Sequence, residues 1–198
     1  MLRTLGPQDL DQTVAILCEA FRDYPVMRFV LQDSADYDAD LRTLVHFFAS
    51  VRFHREEVLL GTPSEGALAG VALLSYPGRG EAPPETAALR EETWARVGNG
   101  ARARYETFGA AAGSIEVGRP HIHLNMIGVV DGARGTGLGR RLLQAVHAMS
   151  ARDPDSEGVS LSTENPGNVP LYRHFGYEVL GEADVAGAFT TWVMFRPD

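Results

Sequence analysis

Apolar residues three and four positions apart predict six helices along the chain. The predicted helices cover residues 10–22, 37–54, 85–97, 101–108, 138–151 and 169–175. Elsewhere the apolar residues form shorter runs bounded by turn-forming residues, and such runs predict strands. The predicted strands cover residues 2–5, 58–62, 66–76, 121–130, 158–162, 177–180 and 189–195. A stretch rich in Gly and Pro predicts a loop over residues 77–84.

The order of these elements indicates the fold class. Two helices follow the first strand, two strands and a helical insert come next, and strands alternate with helices before a closing hairpin. This order predicts an α/β fold with a mixed sheet, antiparallel at its start and parallel where strand–helix–strand units lie in the middle. A length of 198 residues favours a single domain over 1–198, with the helical insert at about 79–118.

Charge and composition exclude several classes of function. The net charge of −8 argues against proteins that bind nucleic acid or anionic membranes through bulk charge. Apolar runs are far shorter than the roughly 20 residues that a membrane helix needs, so no membrane association is expected. Cys18 is the single cysteine, which excludes an internal disulfide and predicts a cytoplasmic location. No Cys/His cluster has zinc spacing, so no metal is expected.

The most informative stretch is DGARGTGLGRR over residues 131–141, between the strongest strand and the strongest helix. Such a turn can direct backbone N–H groups and the positive end of a helix at one anion. Arg134 and Arg140 add local positive charge to an acidic protein. The P-loop and the dinucleotide fingerprint both fit this stretch poorly. It therefore predicts a pyrophosphate site, and the alternative is a simple connecting turn.

Two motifs carry a resemblance to a known family. Arg134, Gly137 and Gly139 match the Arg/Gln-x-x-Gly-x-Gly/Ala element of the Gcn5-related N-acetyltransferase (GNAT) superfamily. The stretch SLSTENPGNVPLYRHFGYEV over residues 160–179 resembles that superfamily's strand, Asn-x-x-(Asn/Ala)-x-x-x-Tyr helix and Phe-Gly-Tyr turn. The resemblance is close over about 122–180. It implies the GNAT acyl-coenzyme A N-acyltransferase fold, a central twisted mixed sheet flanked by helices.

The resemblance also implies acetyl-coenzyme A as co-substrate and a set of residues that bind it. The pyrophosphate loop would comprise Arg134, Gly135, Thr136, Gly137, Leu138, Gly139 and Arg140. The thioester and pantetheine would pair with the backbone of the preceding strand, at Ile127, Gly128, Val129 and Val130, where two parallel strands splay apart. Asn165 corresponds to the asparagine that reaches the pantetheine arm. Asn168 either joins it or caps the short helix.

The resemblance to the GNAT superfamily also implies candidates for the catalytic groups. Tyr172 matches the tyrosine that protonates the leaving thiolate, the alternative being an aromatic plug. The expected general base position, eleven residues before Arg134, is His123, whose imidazole has an ordinary pKa near ~6.5. His121, His123 and Asn125 alternate onto one strand face, but a metal pair there lacks a third ligand. Glu116, Glu164 and a water chain are the other candidates for the base.

The acceptor is the least determined part. An acidic and aromatic run between the first two helices could attract an amine, the alternative being a solvated loop. This run comprises Asp23, Tyr24, Asp33, Asp36, Tyr37, Asp38 and Asp40. We expect a small-molecule amine, of an aminonucleoside or aminoglycoside type, as the partner. The alternatives are a protein or peptide N-acetyltransferase and a non-catalytic acyl-coenzyme A sensor. The resemblance also allows a homodimer.

Overall fold

The structure is a computed structural model that describes residues 2–78 and 83–198. The strands are β1 (Arg3–Thr4), β2 (Leu59–Ser64), β3 (Ala67–Ser75), β4 (Ile122–Val129), β5 (Gly158–Thr163), β6 (Glu178–Val185) and β7 (Phe189–Pro197). The helices are α1 (Leu10–Phe21), α2 (Pro25–Val30), α3 (Tyr37–His54), α4 (Pro84–Val97), α5 (Asn99–Gly113), α6 (Leu138–Ser150) and α7 (Asn168–His174). Single 3-10 turns at 7–9 and 131–133 precede α1 and α6.

The strands form one mixed sheet in the order β1-β2-β3-β4-β5-β7-β6. All neighbouring pairs are antiparallel except β4 and β5, which are parallel and joined through α6. This confirms the α/β prediction and the position of the parallel unit. Whether the whole of 1–198 is one domain stays a prediction.

Three elements differ from the sequence-based prediction. Helix α2 lies where no element was predicted; Pro25 at its first position favours a helix start, and Val26, Met27 and Val30 are buried. Helix α5 extends beyond the predicted 101–108 through an Ala-rich turn. Strand β6 continues to Val185 because it pairs with β7 up to Phe189. Residues 79–82, which belong to the predicted loop and to the start of the predicted insert, lie outside the described residues.

Apolar residues are buried on both faces of the sheet. Adjacent residues of β3 illustrate the alternation: Leu73 packs in the cluster beneath α1 and α3, and Leu74 in the cluster beneath α6. The insert helices α4 and α5 add Trp94 and Ala101 to the first cluster. The insert therefore packs on the α1–α3 side of the sheet.

A bulge in β4 changes which of its residues face each layer. Leu73 pairs with Met126 and Leu74 with Leu124, which leaves Asn125 without a partner on β3. As a result Leu124 belongs to the α6-side cluster and Met126, two residues later, to the α1-side cluster. Bulges of this kind re-aim side chains and are common beside functional sites.

The parallel strands β4 and β5 separate soon after they meet. Their pairing consists of Ile122 with Val159 and His123 with Ser160. Strand β4 then continues to Val129 without a strand partner on its β5-facing edge, within the part of the chain that is described. Backbone N–H and C=O groups along this edge can therefore bind an extended ligand.

Candidate active site

A cavity of about 220 Å³ lies where β4 and β5 separate, and we call it the acceptor cavity. Its aromatic wall is formed by Phe21, Tyr24, Phe48, Tyr105 and Phe108. Its polar lining comprises Arg52, His123, Asn125, Ser162, Glu164, Asn168 and Tyr172. Both predicted catalytic residues, Tyr172 and His123, thus face one space.

Two further cavities connect this space to the glycine loop. A passage of about 420 Å³ shares Phe21, Tyr24, Ile127 and Asn168 with the acceptor cavity. A third cavity, of about 300 Å³, shares Val129 and Arg134 with the passage. The other predicted cofactor-binding residues that line the passage or the third cavity are Gly128, Gly135, Gly137, Leu138, Gly139, Arg140 and Asn165.

Two predicted cofactor-binding residues do not line these three cavities. The side chain of Val130 packs in the core, and its N–H donates to the carbonyl of Ala69 at 2.9 Å. The hydroxyl of Thr136 donates to the carbonyl of Ala133 at 2.6 Å and stabilises the turn. In both cases the polar group that could contact a ligand is used within the protein.

The glycine loop has the backbone geometry of an anion site. Gly135 and Gly137 have φ values of +77° and +85°, and a Cβ at either position would meet no atom within 4 Å. Gly137 immediately precedes α6, whose first-turn N–H groups have no partner within the helix. These N–H groups and the positive end of the helix dipole face the open side of the loop, which fits a diphosphate.

The two arginines of the loop are not equally available. Arg134 forms an ion pair with Asp131 at 2.8 Å, with both side chains largely exposed. The guanidinium of Arg140 lies 5.9 Å from the ring centroid of Phe175. Arg134 is therefore partly neutralised, whereas Arg140 carries its charge next to the loop with no carboxylate of residues 2–78 or 83–198 paired to it.

Gly128 on β4 is required for packing as well as for any ligand. A Cβ at this position would lie 2.8 Å from the Cβ of Ala20 and 3.1 Å from Leu17 on α1. The glycine thus allows α1 to approach β4 closely. Glu19, which precedes Ala20 on α1, accepts a hydrogen bond from the Asp131 N–H at 2.6 Å and holds the start of the loop.

Tyr172 projects from α7 into the acceptor cavity. Burial, with a smaller contribution from the Glu164 carboxylate, raises the pKa of its phenol to about 12. The phenol therefore keeps its proton at neutral pH and can act as a proton donor. Its ring also makes a T-shaped contact with Tyr177 at 5.6 Å.

Glu164 follows β5 directly and is 5% exposed. The Thr191 hydroxyl donates to its carboxylate at 2.7 Å, and its own N–H donates to the Tyr24 hydroxyl at 3.1 Å. Burial raises the pKa of this carboxyl above its ordinary value. The sequence offered a weak signal for it, because it comes immediately after a strand that ends at the cavity.

The environment of His123 differs from the sequence-based expectation of a general base with an ordinary pKa. Its Nδ1 lies 2.7 Å from the Ser160 hydroxyl, and burial lowers its pKa to about 4, with Arg52 and His121 adding to the effect. The imidazole is therefore neutral and weakly basic rather than poised near pH 6.5. Glu116, another candidate base, is exposed and does not line the acceptor cavity.

The two asparagines lie side by side in the passage. The Asn165 side-chain Oδ1 accepts from the Gly167 N–H at 2.9 Å, and the Asn168 side-chain Nδ2 donates to the Thr163 hydroxyl at 3.2 Å. The residue that caps α7 is Gly167. Asn168 therefore reaches back toward β5 and does not cap the helix.

The acidic run between the first helices is largely engaged within the protein. Asp33 pairs with Arg104 at 2.8 Å, Asp38 pairs with Arg22 at 2.7 Å, and Asp40 accepts from Ser34 at 2.6 Å. Asp23 pairs with Arg28, and Asp36 caps α3. Of the seven residues, Tyr24 lines the acceptor cavity. The structure thus favours the structural interpretation of this run.

Several residues of the acceptor cavity were not identified from the sequence. Arg52 and Phe48 come from α3, and Tyr105 and Phe108 come from α5. No local motif marks them, because they meet only when the insert packs against α3. Helical spacing would assign the three aromatic residues to the core and would leave Arg52 on the surface.

Two further observations concern membrane spans and metal sites within residues 2–78 and 83–198. Within them, no helix combines the length and apolarity needed to cross a bilayer. Neither do residues 2–78 and 83–198 bring together three His, Cys, Asp or Glu side chains that could hold a metal ion.

Comparisons with known proteins agree with this geometry. The chain is similar over its whole length to the structure of a histone acetyltransferase HPA2 and related acetyltransferase from Corynebacterium glutamicum, with 22% identity, 95% of that chain covered and a TM-score of 0.70. A polyamine N-acetyltransferase from Drosophila melanogaster is 16% identical, with 100% of this chain and 99% of that chain covered and a TM-score of 0.68. An agmatine N-acetyltransferase is 17% identical, with the same coverage and a TM-score of 0.71.

At these identities the three structures establish the fold alone. A search of curated proteins found no match. The family model described as an acetyltransferase (GNAT) domain matches residues 85–195, which is more than half of the chain and includes the glycine loop, α7 and the closing hairpin. Together with the fold, this match confirms the family resemblance: the chain belongs to the GNAT acetyltransferase family.

Proposed function

We propose that the protein is an N-acetyltransferase that transfers the acetyl group of acetyl-coenzyme A to the primary amine of a small molecule by direct attack on the thioester. The observation that carries this proposal is the continuity of the three cavities, from the glycine loop to a space lined by Tyr172 and Glu164. The fold is shared with enzymes described as polyamine and agmatine N-acetyltransferases, which supports an amine as the acceptor.

The glycine loop and the unpaired edge of β4 would hold the donor. The first-turn N–H groups of α6 and the Arg140 side chain would bind its pyrophosphate. The backbone of β4 at Ile127 and Gly128 would pair with its pantetheine amides, with Asn165 and Asn168 along the passage. Acetyl-coenzyme A supplies an activated thioester at the entrance to the acceptor cavity.

Tyr172 is the proposed proton donor to the leaving sulfur. As the C–S bond breaks and the C–N bond forms, the phenol would give its proton to the thiolate. A pKa of about 12 keeps this proton in place until charge develops on the sulfur. Its position on α7, facing the space that adjoins Ile127, supports this role.

Glu164 is the proposed acceptor of the amine proton. It is buried in the same cavity as Tyr172, close enough for its charge to raise the pKa of that phenol. Its own raised pKa makes the carboxylate a stronger base than an exposed one. Its carboxylate would also attract the cationic amine before deprotonation.

His123 is the competing candidate for the base. It lies at the last paired position of β4 and β5, whereas Glu164 follows the end of β5, so the two groups serve different parts of the cavity. With a pKa of about 4, the imidazole would accept a proton from an ammonium group poorly. We therefore assign His123 to the wall of the cavity and Glu164 to proton transfer.

The size of the acceptor cavity supports a small molecule over a peptide. An apolar cavity of about 150 Å³ holds one benzene ring, and the acceptor cavity measures about 220 Å³. Helices α3 and α5 contribute Phe48 and Phe108 to its wall and limit its extent. A ring with a short chain fits this space better than an extended peptide.

The test is thiol release from acetyl-coenzyme A with a panel of small amines, aminoglycosides and peptides. We expect turnover with small primary amines and a large loss in the Tyr172→Phe variant. Tight coenzyme A binding without turnover on any acceptor, unchanged by Tyr172→Phe, would support the non-catalytic sensor instead. Turnover confined to peptides would overturn the choice of acceptor.

A further inference from the structure

Arg52 of α3 places a buried guanidinium in the wall of the acceptor cavity. Its Nη2 donates to the Asn125 side-chain oxygen at 2.6 Å, and its Nη1 lies 3.3 Å from the carboxylate of Glu57. Its Nε is buried and has no hydrogen-bond partner among the described residues. The side chain keeps 20% of its area exposed, and its two Nη groups carry four N–H donors, so donors beyond the contacts to Asn125 and Glu57 remain for a ligand in the cavity.

The position of Arg52 is set by the elements around it. The Glu57 side chain is 1% exposed and also accepts from Arg55 at 3.3 Å. Asn125 is the bulged residue of β4, and its amide donates to Ser75 at 2.8 Å. The guanidinium is therefore fixed by a carboxylate on one side and by the bulge on the other.

Arg52 lines the acceptor cavity but not the passage that leads to the glycine loop. The reacting end is the part that adjoins the passage, where Tyr24, Ile127 and Asn168 line both cavities. Asn125, which holds Arg52, precedes Ile127 by two residues, roughly 7 Å or less along a strand. A molecule with its amine at the reacting end would thus extend its far end toward Arg52.

The space between the two ends is aromatic. The rings of Phe48 and Tyr105 stack at 5.5 Å with an angle of 27°, and Phe21 and Phe108 complete the wall. His123 adds no positive charge near pH 7, because its pKa is lowered to about 4. Arg52 is therefore the cation that a ligand meets beyond the aromatic wall.

We propose that Arg52 is a specificity-determining residue that binds a carbonyl or carboxylate oxygen at the far end of the acceptor. The inference deepens the proposed function and rests on it. The acceptor is then a monoamine with a small ring or aliphatic body and an oxygen several bonds from the nitrogen. Arg52 and Arg55 share the single carboxylate of Glu57, so this cluster keeps a net positive charge and disfavours a second cation at the far end, as in polyamines and agmatine.

The test compares four amines built on one skeleton, with the wild-type protein. They are para-(aminomethyl)benzamide, para-(aminomethyl)benzoate, para-ethylbenzylamine and para-xylylenediamine. We expect kcat/KM for the amide or the benzoate to exceed that for the ethyl compound by about tenfold to a hundredfold, the range of a hydrogen bond to a charged group. The diamine should have the lowest kcat/KM of the four. Whether the amide or the benzoate has the higher kcat/KM identifies the preferred oxygen.

Two variants assign the preference to Arg52. In Arg52→Gln and in Arg52→Lys, the ratio of kcat/KM for the oxygen-bearing and ethyl compounds should fall to near one. Arg42→Gln, on an exposed part of the same helix, should keep the wild-type ratio. Thermal unfolding of each variant checks that the protein is folded.

The outcomes separate the two proposals. An equal kcat/KM for the ethyl compound, the diamine and the amide in the wild-type protein would overturn the role of Arg52 while leaving the proposed function intact. A preference that survives Arg52→Gln in a folded protein would do the same. Absence of thiol release with every amine, at saturating acetyl-coenzyme A, would instead reject the proposed function.

Discussion

Ser160 on β5 lies opposite His123 on β4, in the last pair before the two parallel strands separate. The Ser160 hydroxyl is 2.7 Å from the His123 Nδ1, so a side-chain hydrogen bond reinforces the backbone pairing at this point. Beyond it the strands diverge and the acceptor cavity opens. The pair therefore closes the end of the acceptor cavity where β4 and β5 are still hydrogen-bonded, and His123 is held there in its neutral form.

The neutral state of His123 predicts a pH dependence of stability. Its pKa is about 4 when folded, against about 6.5 when unfolded, so its contribution is fully present above pH 6.5 and lost as the pH falls toward 4. Between pH 6.5 and 5 this amounts to about 2 kcal/mol. Urea unfolding at pH 7 and pH 5 should show a smaller loss in His123→Gln than in the wild type.

His54→Gln is the matched control, because that side chain is exposed on α3. It should show the wild-type loss of unfolding free energy between the two pH values. His147, whose pKa burial also lowers to about 4, retains its own contribution in both variants. An identical loss in His123→Gln and the wild type would contradict the burial of a neutral imidazole.

The glycine loop predicts a sharp loss of donor binding on substitution of Gly137. The residue has a φ of +85° and borders the proposed pyrophosphate site, so Gly137→Glu adds backbone strain, bulk and a negative charge at once. We expect coenzyme A binding to fall below detection by calorimetry. Gly132→Ala, in the same loop with an open Cβ position and no positive φ, should bind normally. Wild-type affinity in Gly137→Glu would refute the site.

The role of Tyr172 predicts a loss in kcat with little change in donor affinity. Removing a general acid typically lowers the rate by about 10²-fold to 10⁴-fold. Tyr172→Phe should lose less with an acetyl aryl thioester, whose leaving group needs no proton. Tyr37→Phe, which removes a hydroxyl bonded to the Arg22 carbonyl outside the cavity, serves as control. An equal loss with both thioesters would point to a packing role.

The choice between Glu164 and His123 predicts different pH–rate profiles. Glu164 must be ionised to accept a proton, so kcat should fall on the acid side of its pKa, which burial raises above the ordinary value. Glu164→Gln should lower kcat and abolish this acid limb, while His123→Gln should preserve the limb. Glu178→Gln, exposed on β6, is the control. Loss of the limb in His123→Gln alone would transfer the role to the histidine.

Local signals in the sequence anticipated the position and the backbone geometry of the glycine loop. The glycines at 135, 137 and 139 follow a strong strand and precede a strong helix, and this neighbourhood alone positions N–H groups for an anion. Val130 and Thr136 lay within the same motif, but their polar groups are used by Ala69 and Ala133. A motif marks a segment and cannot say which of its atoms remain free.

The acceptor side could not be predicted in the same way. The acidic run around α2 suggested an amine site, yet its carboxylates pair with Arg22, Arg28 and Arg104, accept from Ser34 or cap a helix. The cavity is instead lined by Phe48 and Arg52 of α3 and by Tyr105 of α5, and Tyr105 follows the two α3 residues by more than fifty positions in the chain. Their meeting depends on how the insert packs against α3.

The sequence by itself determined the sheet class, the order of the strands, the glycine-rich turn between β4 and α6 and the family. Each of these follows from short-range patterns, because hydrophobic periodicity and glycine conformations are properties of neighbouring residues. Only the tertiary structure decided where β4 and β5 part, that Asn125 is bulged, and that Glu164, Tyr172 and Arg52 face one cavity. Register, burial and the pKa shifts that follow from burial arise from long-range packing, which no local pattern encodes.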